Sequence, residues 1–191
     1  MKHIFLFIIL AFSLSLTAQE TSYICGSGTK TLTASATGGT APITYTWTSP
    51  SSTVTTGATV TAGAAGVWTW NATDANGCTA TGTHTIVIEP DPTASITLNA
   101  TNSCVGANQT ISATGVPSGY TYAWDFGSGA TPATSTSSSA SVSYSTTGTK
   151  TITLVISKTF TGSTNGCSAT CTWTKTTTIT IGNLTGSSSC S

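Results

Sequence analysis

The sequence predicts an all-β protein made of two tandem β-sandwiches, and three observations support this prediction. Only 5% of the 191 residues are charged, against about 25% in an ordinary soluble domain, and threonine, serine, glycine and alanine take their place. Short segments of alternating apolar and polar residues are separated by turns rich in Gly, Pro, Ser and Asn, without a helical apolar stripe. The same series of landmarks also occurs twice along the chain.

The composition favours strands and argues against one class of partner. Threonine is β-branched and prefers extended backbone. A hydrophobic fraction of 38%, with five Trp and five Tyr, is too high for a disordered tail. The chain has five cationic side chains, all of them lysine. Because nucleic-acid binding needs clustered Lys or Arg, we expect no nucleic-acid partner.

The first 18 residues have the organisation of a cleaved signal peptide. Lys2 and His3 form a short polar start, residues 4–16 are an apolar run, and Leu16-Thr17-Ala18 offers a small-residue cleavage site. The run is shorter than the about 20 residues of a transmembrane helix. We therefore predict residues 1–18 as a signal peptide and expect a secreted or cell-surface protein without membrane insertion.

The repeated landmarks divide the rest of the chain. Residues 33–47 and 110–124 align without gaps and end in Trp47 and Trp124. A cysteine precedes each segment, and each Trp is followed by a strand-opening glycine and then by Asn-Gly-Cys. Agreement at this many positions indicates two homologous domains.

The sequence Pro90-Asp91-Pro92 lies between the two copies. Proline removes a backbone donor and restricts the preceding residue, so this segment ends a strand and forms a short linker. The predicted domains are residues 19–89 and 93–183, with a Pro-rich linker at 90–92 and a C-terminal tail at 184–191.

Eleven strands are predicted from the alternation. In the first domain they are residues 30–36, 43–48, 58–61, 67–73 and 79–88; in the second, 94–100, 109–113, 120–125, 140–144, 150–157 and 172–181. Ile43, Tyr45 and Trp47 share one face of their strand. A mid-strand Trp between two cysteines favours a sandwich, in which the Trp packs on a disulfide between the sheets.

All six cysteines follow the signal peptide: Cys25, Cys78, Cys104, Cys167, Cys171 and Cys190. An even number in an exported chain indicates three disulfides. We expect Cys25–Cys78, Cys104–Cys167 and Cys171–Cys190, and Cys104–Cys171 is an open alternative. No Cys-x-x-Cys pair accompanies His84, the one histidine of the mature chain, so neither a metal nor a cofactor is expected.

Residues 122–129, Tyr-Ala-Trp-Asp-Phe-Gly-Ser-Gly, resemble the hallmark WDFGDG turn of the PKD (polycystic kidney disease) domain, and residues 142–154 resemble a later strand of that family. Residues 38–47 and 74–80 resemble repeats of secreted surface and gliding-motility adhesins of Bacteroidetes. The resemblance implies PKD-type, immunoglobulin-like β-sandwiches that serve as spacer, adhesive or carbohydrate-associated modules. Ser128 replaces the second acid of the hallmark, which argues against a cation site there.

No catalytic residues are predicted, and the chain is not expected to be an enzyme. His84 alternates with Ile86 and Ile88 on a strand, which is typical of a structural histidine. No Gly-x-Ser-x-Gly elbow precedes a helix. Glu89 and Asp91 flank the linker rather than facing one cleft.

The aromatic side chains are the candidates for binding. Trp68 and Trp70 share one strand face; we favour a core position for both, and the alternative is a glycan-stacking platform. Trp173 has the same ambiguity. The predicted function is an extracellular, non-catalytic structural or adhesive module that contacts cell-surface glycans or other surface proteins. The alternatives are a carbohydrate-binding module and a fibre subunit that self-associates through uncharged sheet edges.

Overall fold

The computed structural model of the chain describes residues 20–160, 169–185 and 189–190, with the backbone alone from residue 184 onward. The predicted signal peptide and Cys167 lie outside the described residues. The described part of the chain forms two compact units, residues 20–88 and residues 89–160 with 169–190. Every regular element in these ranges is a strand, so the predicted all-β architecture is confirmed.

The first unit contains seven strands: β1 (Glu20–Cys25), β2 (Lys30–Thr33), β3 (Thr44–Thr48), β4 (Val54–Thr56), β5 (Thr59–Ala62), β6 (Gly66–Thr73) and β7 (Thr79–Glu89). Five of them form a sheet in the order β1-β7-β6-β3-β4, and β2 pairs with β5 in a second sheet. The register places Trp47 of β3 opposite Trp70 of β6. Alternation along β6 turns Trp68, Trp70 and Ala72 inward and Val67 outward.

The second unit contains the remaining strands: β8 (Ser95–Leu98), β9 (Asn102–Cys104), β10 (Gln109–Thr114), β11 (Thr121–Asp125), β12 (Ala130–Thr131), β13 (Thr134–Ser135), β14 (Ser139–Tyr144), β15 (Gly148–Phe160), β16 (Ala169–Gly182), β17 (Leu184–Thr185) and β18 (Ser189–Cys190). Its two main sheets have the orders β12-β14-β10-β8 and β13-β11-β15-β16-β9. All pairs are antiparallel except β9 with β16, which is parallel.

The two units share one topology. The series β7-β6-β3 of the first corresponds to β16-β15-β11 of the second, and the pair β2-β5 corresponds to β10-β14. One difference is that β14 has β12 on its outer side, whereas β5 has no neighbour on that side among the described strands. The first sandwich is therefore open along β5.

Each unit has its own apolar core between its two sheets. In the first unit the core is Trp47 with Trp68, Trp70, Leu32 and Ile86. In the second it is built around Trp124, Phe126, Ile111, Tyr144 and the inward residues of β15 and β16. Burial of this much aromatic and branched surface, at about 25 cal/mol per Å², is the main stabilising contribution.

The predicted Cys25–Cys78 disulfide is wrong. Cys25 is disulfide-bonded, but Cys78 has a free thiol and is exposed. Cys78 precedes β7 in a surface turn, where its N–H donates to Asp74 Oδ1 at 2.8 Å. The inward positions that an inter-sheet disulfide would occupy hold Leu32 and Trp70, both buried, so Trp47 packs on side chains rather than on sulfur.

Two other cysteines of the described residues, Cys104 and Cys171, are also disulfide-bonded. The predicted pair Cys104–Cys167 includes a residue outside the described part and stays a prediction. The predicted pair Cys171–Cys190 is wrong, as is the alternative Cys104–Cys171, because Cys171 bonds a different cysteine. Cys171 is fully buried in β16.

Candidate functional site

Trp68 and Trp70, for which the sequence favoured a core position over glycan stacking, lie in the core of the first unit. They are 7% and 8% exposed, and the Trp68 indole N–H donates to Ala64 O at 3.1 Å. An aromatic platform needs an open ring face, and neither residue offers one. Trp68 nevertheless reaches the surface, because part of its ring lines a groove.

This groove, which we call the open-edge groove, lies along β5, on the side where no other strand of the described residues pairs with it. It has a volume of about 320 Å³, at the small end of the range for ligand sites. Five hydroxyl side chains line it: Ser49, Ser51, Thr53, Thr55 and Thr61. The rest of the lining is Val60, Gly63, Ala64 and Trp68. None of these nine residues is ionisable.

The β3–β4 hairpin positions three of the hydroxyls. The turn is closed by Ser49 N–H to Thr53 O at 2.9 Å, and Thr53 N–H donates to Ser49 Oγ at 3.0 Å. Ser49 Oγ and Ser51 Oγ lie 2.9 Å apart. A hydroxyl has one donor and two acceptor positions, so this chain of hydroxyls keeps hydrogen-bonding capacity directed outward.

The hairpin turn is also conformationally restricted. Ser52 has φ of 63°, in the left-handed region that costs a non-glycine residue roughly 1–2 kcal/mol. Its N–H donates to Ser49 O at 2.9 Å, which holds it there. Such strain persists only where surrounding contacts fix the backbone.

Trp173, the third predicted stacking residue, belongs to an aromatic and charged cluster in the second unit. It is half-buried, and its ring centroid lies 5.8 Å from that of Tyr120. Tyr120 OH donates to Glu89 Oε1 at 2.6 Å, and Lys158 Nζ donates to the same oxygen at 2.6 Å. The Lys158 ammonium also lies 5.0 Å from the centroid of the Phe160 ring. These groups satisfy one another, so the cluster serves packing rather than an open platform.

His84 occupies the inner side of β7 near β1. Its Nε2 lies 2.9 Å from Ser22 Oγ and its Nδ1 lies 3.3 Å from Glu20 Oε2. Burial lowers the pKa of His84, which the neighbouring Glu20 carboxylate only partly opposes. The neutral ring therefore donates from Nδ1 to Glu20 and accepts from the Ser22 hydroxyl.

A hydroxyl, an imidazole and a carboxylate in this order are the groups of a nucleophilic catalyst. A cavity of about 120 Å³ adjoins them, lined by His84 and Glu20 together with Trp47, Trp70 and three hydroxyl residues. Ser22 does not line this cavity, so a bound molecule would not meet its hydroxyl. The arrangement satisfies the buried His84 side chain and connects β1 to β7.

The turn after β11 is stabilised by local hydrogen bonds. Asp125 Oδ1 accepts from Gly127 N–H at 2.8 Å, so the aspartate side chain caps the turn in the way that is common for this residue type. Trp124 stacks on Phe126 with centroids 5.5 Å apart. The Tyr144 hydroxyl donates to Phe126 O at 2.9 Å.

No group of three or more His, Cys, Asp or Glu side chains in residues 20–160 and 169–183 is arranged to hold a metal ion. No helix in the described part of the chain is long and apolar enough to cross a membrane.

Comparison with known proteins identifies the fold. No protein-family profile and no curated protein matches the chain. The first eight Ig domains of the Down Syndrome Cell Adhesion Molecule align with a TM-score of 0.54 and 16% identity, over 86% of this chain and 23% of that one. Murine CEACAM1b and an amphioxus IgVJ-C2 molecule align with TM-scores of 0.36 and 0.34, both at 11% identity, over 87% and 83% of this chain and 99% of theirs.

The chain is therefore an all-β protein of immunoglobulin-like fold, and it spans about a quarter of the adhesion-molecule structure that it matches. The open-edge groove was not predicted from the sequence. The signal was present in Ser51, Thr53 and Thr55, whose alternation places three hydroxyls on one face. Sequence alone did not show that the facing sheet stops at β5.

Proposed function

We propose that the chain is an extracellular, non-catalytic structural or adhesive module of a bacterial surface or secreted protein. The observation that carries the proposal is the pair of immunoglobulin-like units with faces covered by hydroxyl rather than charged side chains. The likeness to a cell adhesion molecule, whose structure contains eight such domains, agrees with this role. Disulfide-bonded Cys25, Cys104 and Cys171 favour an oxidising location.

The proposal includes a PKD-type second domain related to Bacteroidetes adhesin repeats. The capped turn of Trp124, Asp125 and Gly127 supports it, as does the buried Tyr144 hydroxyl that holds Phe126 O. It also includes cleavage of residues 1–18, domains at 19–89 and 93–183, and a linker at 90–92. The end of β7 at Glu89 and the start of β8 at Ser95 support those boundaries.

A non-catalytic role is supported by the placement of the hydroxyl–imidazole pair that Ser22 and His84 form in the described part of the chain. Ser22 Oγ contacts His84 but lies off the adjoining cavity, so the nucleophile, the base and the bound molecule do not converge.

Self-association is a second candidate because of β4. This outermost strand has the uncharged sequence Val-Thr-Thr, and Val54 is 62% exposed. Uncharged edge strands pair readily with a second copy. Sedimentation velocity of the purified chain would show concentration-dependent assembly that Val54→Lys abolishes; a wild-type chain that stays monomeric at high concentration would remove this candidate.

Antibody labelling of the organism that encodes the chain tests the main proposal. We expect labelling of intact cells or of the culture medium, loss of the epitope after protease treatment of intact cells, and weaker attachment of a deletion strain. Antigen that is found only after lysis, together with normal attachment of the deletion strain, would contradict the proposal.

A further inference from the structure

The open-edge groove is a place where the first unit differs from the second. In the second unit β12 pairs with β14 and completes that side of the sandwich. In the first, the corresponding edge of β5 has no described neighbour, and the β3–β4 hairpin lies across the gap. The result is a concave surface with two walls, the hairpin on one side and β5 with Gly63 and Ala64 on the other.

The chemistry of these walls selects among ligand classes. A charged ligand would lose its hydration without meeting an ionised partner, which is costly. A purely apolar ligand would exclude water from the five hydroxyls without replacing the hydrogen bonds that they make with water, which is also costly. A ligand that carries many neutral hydroxyls and also has apolar C–H faces satisfies both kinds of surface.

Apolar contact is available in the same groove. Val60 is half-buried, and the Trp68 ring, with its N–H already bonded to Ala64 O, presents only carbon to the groove. The hydroxyl side chains stand opposite on the hairpin. Because hairpin hydrogen bonds already order Ser49, Ser51 and Thr53, little further entropy is lost when they bind.

We propose that the open-edge groove binds a short stretch of a neutral oligosaccharide. The inference rests on the proposed adhesive function and names the class of molecule that the first unit recognises. Sugar hydroxyls exchange hydrogen bonds with the serine and threonine hydroxyls, and C–H groups of the sugar contact Val60, Ala64 and the part of the Trp68 ring that lines the groove.

Two adjacent threonines provide a matched pair of variants. Thr55 and Thr56 are consecutive, exposed residues of β4; Thr55 lines the groove and Thr56 faces the opposite side. Replacing Thr by Val keeps the shape and the β-branch and removes one hydroxyl. Thr55→Val therefore tests the groove, and Thr56→Val controls for any general effect on β4.

The purified chain is titrated by calorimetry with neutral hexasaccharides of glucose, mannose, galactose and xylose, and with hexagalacturonate as the charged counterpart. We expect at least one neutral hexasaccharide to bind, no binding of hexagalacturonate, a loss of about tenfold or more in affinity for Thr55→Val, and unchanged affinity for Thr56→Val. Amide NMR shifts on binding should concentrate in residues 49–64.

Three results would overturn the inference: no binding of any neutral hexasaccharide, tighter binding of hexagalacturonate, or equal affinities for the two variants. If the deletion strain still attaches poorly in any of these cases, adhesion stands and only the groove assignment fails. Normal attachment of the deletion strain would instead remove the proposed function itself.

Discussion

Lys158 Nζ donates a 2.6 Å hydrogen bond to Glu89 Oε1 in the second unit, and the Tyr120 hydroxyl donates to the same oxygen. Both hydrogen bonds lower the pKa of Glu89 below its ordinary value. The bond from Lys158 has the largest effect, and the bond from Tyr120 has the next largest. Glu89 Oε1 thus accepts hydrogen bonds from Lys158 of β15 and from Tyr120, the residue immediately before β11. Glu89 itself is the residue before the linker.

The stability of the second unit should fall in acid because of Glu89. A carboxyl whose pKa is lowered by folding contributes stability above its unfolded pKa of about 4.3, and this is lost as pH falls through the folded value. Between pH 5 and pH 3, we expect the hydrogen-exchange protection factors of second-unit peptides, corrected for the intrinsic rate at each pH, to fall more in wild type than in Glu89→Gln.

Asp91→Asn is the control for that experiment. It removes the Asp91–Lys175 contact at 3.1 Å, which is more exposed, and exposed pairs contribute little. An identical acid response of wild type and Glu89→Gln would contradict the role of Glu89.

Tyr120 should ionise at a higher pH than an ordinary tyrosine. Burial, and then the hydrogen bond to Glu89, raise the pKa of Tyr120 to about 12. Since the unfolded value is about 10, the neutral phenol stabilises the fold below pH 10, and this contribution is lost as pH rises toward 12. Tyrosinate absorbance of wild type minus that of Tyr120→Phe, measured within milliseconds of a pH jump, should give a midpoint near pH 12. A midpoint at pH 10 would show that Tyr120 lacks these contacts.

His84 should make the first unit sensitive to mildly acidic pH. Burial lowers the pKa of His84, with Lys30 adding to the effect and Glu20 opposing it. The unfolded chain then binds the proton more readily, so stability is present above pH of about 6.5 and declines as pH falls through the folded pKa. Imidazole NMR signals should titrate below pH 6.5, and His84→Gln should flatten the pH dependence of first-unit unfolding. Titration of His84 at or above pH 6.5 would be incompatible with its burial.

Position 127 requires glycine for two reasons, its positive φ and the close approach of a neighbouring backbone oxygen. Its φ is 81°, and a Cβ there would lie 2.7 Å from Thr151 O. Gly119 has a similar φ of 84°, with open space around it. Gly127→Ala should therefore reduce the free energy of unfolding by about 1–3 kcal/mol more than Gly119→Ala. Equal losses in urea unfolding would show that backbone strain alone acts at both positions.

Cys78 should react with a maleimide in the native chain without a reductant. Its thiol is free and exposed, whereas Cys25, Cys104 and Cys171 are in disulfides. Mass spectrometry of the labelled peptides should find Cys78 modified and these three protected, and Cys78→Ser should leave the unfolding midpoint unchanged. A Cys78-containing disulfide in a non-reduced peptide map would restore the pairing that the structure rejects.

The main strands were predictable because their alternation is carried by large apolar side chains. The alternation of Ile43, Tyr45 and Trp47 predicted β3 and its inward face. Trp68 and Trp70 predicted the position of β6. The short strands β4, β12 and β13 were missed because they consist almost entirely of hydroxyl and small side chains. Period-2 alternation has no apolar component there for sequence analysis to detect.

The Cys25–Cys78 disulfide was predicted wrongly because neither cysteine occupies an inward position facing Trp47. The order Cys-Trp-Cys around Trp47 was correct as a sequence pattern, but Cys25 lies at the end of β1 and Cys78 in a turn before β7. The core positions facing Trp47 were already filled by Leu32 and Trp70. The groove was missed because it depends on β12, a strand of the second unit that has no counterpart among the described strands of the first.

The retention of coated beads under flow is the most direct measurement of the proposed adhesive function. Beads that carry the purified chain are placed under flow on surfaces coated with host-cell or bacterial-cell glycans and proteins, beside beads that carry the reduced, alkylated and unfolded chain. We expect the folded chain to hold the beads on at least one of these surfaces against shear, and the unfolded chain not to hold them. Equal detachment of the two kinds of bead from every surface would contradict an adhesive function.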